Sequence, residues 1–395
     1  MKTLKNWCTG IAMLLVSQGL YAQQDSIRVS GSLKGLKDNS VRISFKDDVG
    51  ENKFYKSTAV NDVFTLTVPK QKIPAAARLD VGLKRDLSAT VDGKTVGSPA
   101  PALDLFIYNQ DISIDGDARL VQFADIKGDE ENNAFNSYKQ LVRNEERRNY
   151  FIYNNLFNAQ YHGEKLEAAS EKLREETDVN FKKIMVQQKN FVAQHPETFA
   201  SLFLLSRMQN VYTADGYTQA FNALAPEYRD HPMASGIKSY LKKVSSSLTG
   251  SPTINFERKD KDGKLIRLTD YKGKTVLLDF WGSWCGPCRA SHPHLKALYE
   301  QYQKDGFEII GIAQERGKNL TEARAAWTKA IAEDGINWVH ILNMDGIEKQ
   351  DLVKDYNVMA FPTKILVDKN GKVLLRITAS ATNDIDQVLA KIYGH

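Results

Sequence analysis

Cys285 and Cys288 are the side chains of this chain best suited to chemistry. They enclose Gly286 and Pro287, and an apolar run, Val276–Trp281, leads into them. Beyond them Ala290, Leu295, Leu298, Tyr299 and Tyr302 recur at roughly helical period. Pro287 suits the first turn of a helix, where a missing N–H costs nothing. The pattern therefore predicts Cys285 at a helix N-terminus, where free N–H groups and the helix dipole stabilise a thiolate. A thiolate there attacks a disulfide sulfur. Cys288, one turn further in and buried, then resolves the mixed disulfide. Zinc binding is the competing use, because His292 and His294 follow closely. Residues two apart do not share a helix face, and Pro293 separates them, so no metal is expected.

The remaining cysteine, Cys8, lies in Met1–Ala22, which reads as a cleaved signal peptide. Lys2 and Lys5 form its basic start, Ile11–Val16 its apolar core, and Leu20–Ala22 its cleavage site. The apolar run is well short of the ~20 residues of a membrane span. Removing the leader takes away two lysines and no acidic residue, so the net charge of +5 becomes +3 (5 − 2). No basic stripe with interleaved aromatics accompanies that mild charge, which argues against a nucleic-acid partner. An exported chain left with one closely spaced cysteine pair is not using cysteine for stability, since so short a loop removes little chain entropy. The pair is there to react.

The elements around the pair resemble the thioredoxin superfamily. Trp284-Cys285-Gly286-Pro287-Cys288 matches its active-site pentapeptide, and Leu278–Trp281 its central strand. Phe361-Pro362-Thr363 is similar to the family's cis-proline segment, and Asp368–Lys372 to the hairpin between its last two strands. An added hairpin, Ile254–Phe256 with Leu265–Leu268 about a turn at Lys261–Gly263, resembles the exported branch linked to cytochrome maturation. The resemblance implies a redox-active Cys285–Cys288 disulfide and no other cofactor. It implies that Asp279, a carboxylate inside an apolar strand, takes the Cys288 proton through water. It implies a substrate surface of Trp284, Gly286, Pro287, Phe361 and Pro362, with the cis-proline edge pairing an extended peptide. Relatives in this branch often carry glutamate three residues after the second cysteine; here that position is Ser291.

A chain of 395 residues suggests two or three domains. Residues 23–128 read as an antiparallel β domain, a sandwich. Val41–Phe45 and Val63–Val68 alternate cleanly, and Leu103–Tyr108 and Ile112–Ile114 are further strands. Asn61–Phe64 and Ile112–Gly116 resemble a β domain of unknown function that precedes thioredoxin-like domains. Residues 129–248 read as a charged helical region, either a connector or a surface for dimerisation or docking. Residues 249–395 read as the α/β thioredoxin fold. In it Phe307–Ala313 and Trp338–Ile341 are strands, and Thr321–Ala332 and Ile385–Tyr393 helices.

The expectation is thus an exported, periplasmic bacterial thiol–disulfide oxidoreductase that reduces protein disulfides. The Gly-Pro dipeptide resembles that of reducing thioredoxins, which implies electrons drawn from a membrane thiol carrier. The rival expectations are the other directions, an oxidase or an isomerase, and a partner-binding protein with an auxiliary redox domain. Nothing in the pattern specifies an oligomer.

Overall fold

The computed structural model describes residues 25–163, 170–378 and 384–394. The expected leader lies outside them. The chain forms two compact units, Met1–Gln187 and Gln188–His395, so the helical stretch contributes to both. Among the described residues no helix is long and apolar enough to cross a membrane.

The first unit contains β1 (Ser26–Lys34), β2 (Ser40–Lys46), β3 (Asn52–Thr58), β4 (Val63–Pro69), β5 (Ala75–Val81), β6 (Leu87–Val91), β7 (Lys94–Ser98), β8 (Leu103–Ile107), β9 (Ile112–Asp117) and β10 (Asp125–Lys127). They build two four-stranded sheets, β10-β9-β1-β4 and β3-β2-β5-β8, and a separate β6–β7 hairpin. The alternation in β2 and β4 buries Val41, Ile43, Phe45, Phe64, Leu66 and Val68, as one-faced strands require. One expectation needs correction: the domain is not purely antiparallel, because β1 pairs with β9 in parallel from Val29↔Ile112 to Lys34↔Asp117. The long excursion through β2–β8 supplies the crossover that parallel pairing demands. Asp92 and Gly93, both with positive φ (50° and 73°), turn the β6–β7 hairpin in the manner of a primed turn.

Helix α1 (Glu130–His162) begins where Asp129 accepts a hydrogen bond from the Asn132 N–H. Asn132 in turn bonds both the N–H and the C=O of Phe106, which fastens the helix start to β8. Helix α2 (Ser170–Gln194) follows and carries the boundary between the units.

The second unit starts with α3 (Phe199–Ser206), α4 (Ala214–Ala223), α5 (Pro226–Arg229) and α6 (Ser235–Val244). Then come β11 (Glu257–Lys259), β12 (Leu265–Arg267), β13 (Thr275–Trp281), α7 (Gly286–Ala290), α8 (His292–Tyr302), β14 (Phe307–Ala313), α9 (Leu320–Asp334), β15 (Val339–Leu342), α10 (Leu352–Asp355), β16 (Thr363–Val367), β17 (Val373–Thr378) and α11 (Asp384–Tyr393). Five strands form one sheet in the order β15-β14-β13-β16-β17. β13, β14 and β15 are mutually parallel, whereas β16 runs antiparallel to both β13 and β17. β13 is central and buried at every residue, which is why its sequence is a continuous apolar run. The added hairpin is present as β11–β12, its first strand starting at Glu257 rather than Ile254.

The helices before the sheet pack onto its β17 edge. Thr213 bridges Ile377, the Gly250 N–H bonds the Val373 carbonyl (2.8 Å), and the Val373 N–H bonds the Ser251 carbonyl (2.9 Å). Arg376 is buried, and its guanidinium donates to Ser247 Oγ (2.8 Å) and to the Tyr356 and Asn357 carbonyls (2.6 and 2.9 Å).

Candidate active site

β13 delivers the chain to the C-terminal edge of the sheet, and a tight turn at Gly282 sends it into α7. A side chain at Gly282 would put its Cβ 2.6 Å from both the Gln314 carbonyl and Trp284 Nε1. Cys285 caps α7: its sulfur accepts the Cys288 N–H at 3.2 Å, and Gly286 and Pro287 fill the first turn. Cys285 and Cys288 are joined as a disulfide, with Cα atoms 5.3 Å apart. Both cysteines are buried, Cys285 at 4% and Cys288 at 1% exposure. Oriented N–H groups at Cys285 favour its thiolate once the disulfide is opened.

The approach to the pair is aromatic. Trp284 donates from Nε1 to the Gln314 carbonyl (2.8 Å) and meets the Phe361 ring edge-on at 5.5 Å. The Arg316 guanidinium lies over the Trp284 indole, 3.6 Å from its centroid. Buried Glu315 braces the turn by accepting from the Ser283 N–H (2.8 Å) and hydroxyl (2.6 Å). The Phe361–Pro362 peptide is cis. Gly286 and Pro287 are exposed, and Pro362 is buried.

Beneath the helix the sheet carries a row of polar side chains. Asp279 lies opposite Lys364 in the β13–β16 ladder and opposite Gly311 in β14, and Gly311 lies opposite His340 in β15. Lys364 Nζ stands 3.1 Å from Asp279 Oδ1, off the hydrogen-bonding direction, so the contact is Coulombic. Both side chains are buried. Lys364 also donates to Ser291 Oγ (3.2 Å), and that hydroxyl donates to the Cys288 carbonyl (2.7 Å). Burial, assisted by the nearby His292, pushes the His340 imidazole down to about 3.

His292 corrects one expectation. The sequence reading places it on an exposed helix face, but it is buried, with Nδ1 2.7 Å from Asp334 Oδ2 and its ring edge-on to Trp281. His294 is exposed and contacts Asp386. Arg289 also grips Asp334, at 2.5 Å. Burial raises the Asp334 carboxyl, but the hydrogen bonds from Arg289 and His292 outweigh it and hold the group below its usual range.

Lys364, Glu315, Arg316 and His340 were not singled out by sequence. A signal for Lys364 was present: like Asp279, it is a charge inside an apolar strand, here Thr363–Val367.

Residues 248–391 match the family model described as Redoxin. Thiol-disulfide oxidoreductase ResA of Geobacillus thermodenitrificans is 36% identical over 156 residues, 39% of this chain and 83% of the relative. ResA of Bacillus subtilis is 32% identical over 136 residues, 34% of this chain and 70% of the relative. Among solved structures, the thioredoxin domain of a thiol-disulfide oxidoreductase from Bacteroides vulgatus is 32% identical. That match covers 37% of this chain and 97% of the domain, with a TM-score of 0.33. The chain belongs to the redoxin family of thioredoxin-like proteins. It is a thiol–disulfide oxidoreductase.

Proposed function

We propose that this enzyme works outside the cytoplasm, in the periplasm, and reduces disulfides of protein substrates. The observation that carries the reading is Cys285 at the cap of α7, its sulfur accepting a backbone N–H. The Cys285 thiolate attacks one substrate sulfur, forming a mixed disulfide and releasing the other sulfur as thiolate. Cys288 then gives its proton, through water, to Asp279 and attacks the Cys285 sulfur. The bond between Cys285 and the attacked substrate sulfur breaks, that sulfur leaves as thiolate, and two electrons have passed from the dithiol to the substrate. A thiol donor, which we assign to a membrane carrier, restores the dithiol. Trp284, Phe361 and the edge beside Pro362 form the substrate surface. The two four-stranded sheets of the first unit are read as the layers of a sandwich with a separate, non-catalytic role.

A Cys288→Ser variant tests this in the full chain. Expressed with a leader, it is expected to accumulate mixed disulfides with exported proteins through Cys285. Purified wild-type protein with a dithiol donor is expected to reduce insulin, and Cys285→Ser to fall to background. No adducts and no insulin reduction would refute the reading. Retention of protein partners by the Cys285→Ser, Cys288→Ser double variant would favour the rival, a partner-binding protein with an auxiliary redox domain.

A further inference from the structure

β14 runs out into Gln314-Glu315-Arg316, and each of the three grips the turn that presents Cys285. The Gln314 carbonyl accepts from Trp284 Nε1 (2.8 Å), and its side-chain oxygen accepts from Asn343 Nδ2 (2.8 Å). The Glu315 carboxylate is spent on the Ser283 N–H and hydroxyl. Arg316 lays its guanidinium on the Trp284 indole, 3.6 Å from the ring centroid. A guanidinium stacked in this way is held by one face, and its N–H donors stay free in its own plane. Arg316 is exposed, and among the described residues its side chain has no hydrogen bond and no ion pair. The other charges around the turn are matched. Arg289 of α7 is paired with Asp334 and Glu333, and Glu315 is buried. An unspent, anchored cation therefore stands on the residue that precedes Cys285. Phe361 meets the same indole, and the exposed Met359 lies two residues before it in the chain.

We propose that Arg316 is a specificity-determining residue, selecting peptide disulfides that carry a carboxylate beside the attacked cysteine. This rests on the reduction of protein disulfides given above. A carboxylate matches the planar fork of the guanidinium through two parallel hydrogen bonds. A lysine at the same place meets an unpaired like charge, and the indole face that would attract it is already occupied. Trp284, Phe361 and Met359 supply apolar contact that does not discriminate by charge.

Two synthetic peptides test this, each holding its one cysteine as a mixed disulfide with pyridine-2-thiol. One has glutamate on both sides of the cysteine, the other lysine. The Cys285 sulfur of the reduced full-length protein bonds to the peptide sulfur. The peptide–pyridyl S–S bond breaks, and pyridine-2-thiolate leaves and takes up a proton, which its absorbance reports. The measured quantity is the ratio of the glutamate-peptide rate to the lysine-peptide rate. At low salt it is expected to be about fivefold higher in wild type than in Arg316→Gln, the scale of an exposed charge pair. High salt should shrink that difference, and Arg316→Glu should lower the ratio further. An arginine that only packs on Trp284 would alter both rates alike, so equal ratios in wild type, Arg316→Gln and Arg316→Glu overturn the proposal. No release from either peptide by the wild type, or release undiminished in Cys285→Ser, would instead refute the dithiol reading itself.

Discussion

Gly311 in β14 stands beside His340 in β15, and the missing side chain at the glycine is what admits the imidazole. A Cβ at Gly311 would lie 2.5 Å from His340 Nδ1 and 3.1 Å from Trp281 Nε1. Both rings are buried and wedged among neighbours, so neither yields freely. Gly311→Ala is expected to destabilise the protein by about 1–3 kcal/mol through overpacking. Thermal denaturation of the oxidised protein checks it, and an unchanged midpoint would mean the rings have room to spare.

The same imidazole makes stability depend on pH. Burial and the neighbouring His292 hold the folded His340 at about 3, whereas an unfolded histidine titrates near ~6.5. Between these values the unfolded chain binds a proton that the folded chain refuses. Stability from this source is therefore intact above pH ~6.5 and falls on acidification toward pH 3, by about 1.4 kcal/mol per unit. Denaturant titrations from pH 7.5 to 4.5 should show that slope in the wild type and a shallower one in His340→Leu.

Asp334 acts in a lower window. Burial opposes its charge, but Arg289 and His292 more than offset this, so the folded carboxyl titrates below its unfolded value. Its contribution is complete above the unfolded value of ~3.9 and is lost as pH falls through the lower folded value. Asp334→Asn is expected to cost about 1.5–3 kcal/mol at pH 7, the scale of hydrogen bonds to charged groups. The gap between variant and wild type should narrow below pH 4, which melting curves from pH 2 to 7 will report.

Asp279→Asn gives a sharper result than its sequence suggests. Read as a lone buried carboxylate, Asp279 would be replaced at no cost, because a desolvation penalty disappears. Lys364 reverses that expectation: the substitution strands a buried ammonium, at a cost of about 3–5 kcal/mol. Lys364→Met should cost a similar amount, and the double variant much less than the sum. A double-mutant cycle on unfolding free energies measures the coupling.

The parts of the site that were legible in the sequence are those whose chemistry is local. Cys285 and Cys288, the proline in the first turn of α7, Phe361-Pro362 before a strand, and the β13 run all announce themselves within a few residues. β14 was even bounded correctly at Phe307–Ala313. What stayed hidden depends on partners far along the chain. His292 is buried because Asp334, on α9, comes to meet it. Lys364 acquires its meaning from Asp279 across the ladder, and the β1–β9 pairing joins strands separated in the chain by all of β2–β8. β5 escaped notice for another reason: its alanines have little strand preference, and its place between β2 and β8 makes it a strand. By contrast, the Asp92-Gly93 pair between β6 and β7 is a local hairpin signal.

β17 is the last strand of its sheet, and the segment before the redox fold covers its outer edge through Thr213, Gly250 and Ser251. The fold is therefore not a cassette that can be lifted out at residue 248, where the family match begins. A fragment cut there would keep the Gly250 and Ser251 contacts to Val373 but lose the Thr213 bridge to Ile377, and Arg376 would lose its Ser247 acceptor. The uncovered Ile377 end of the strand would offer backbone groups to other copies, the ordinary route to self-association. Residues 213–251 serve as the redox domain's own edge guard, and transplanting the catalytic pair into another protein means carrying that guard along.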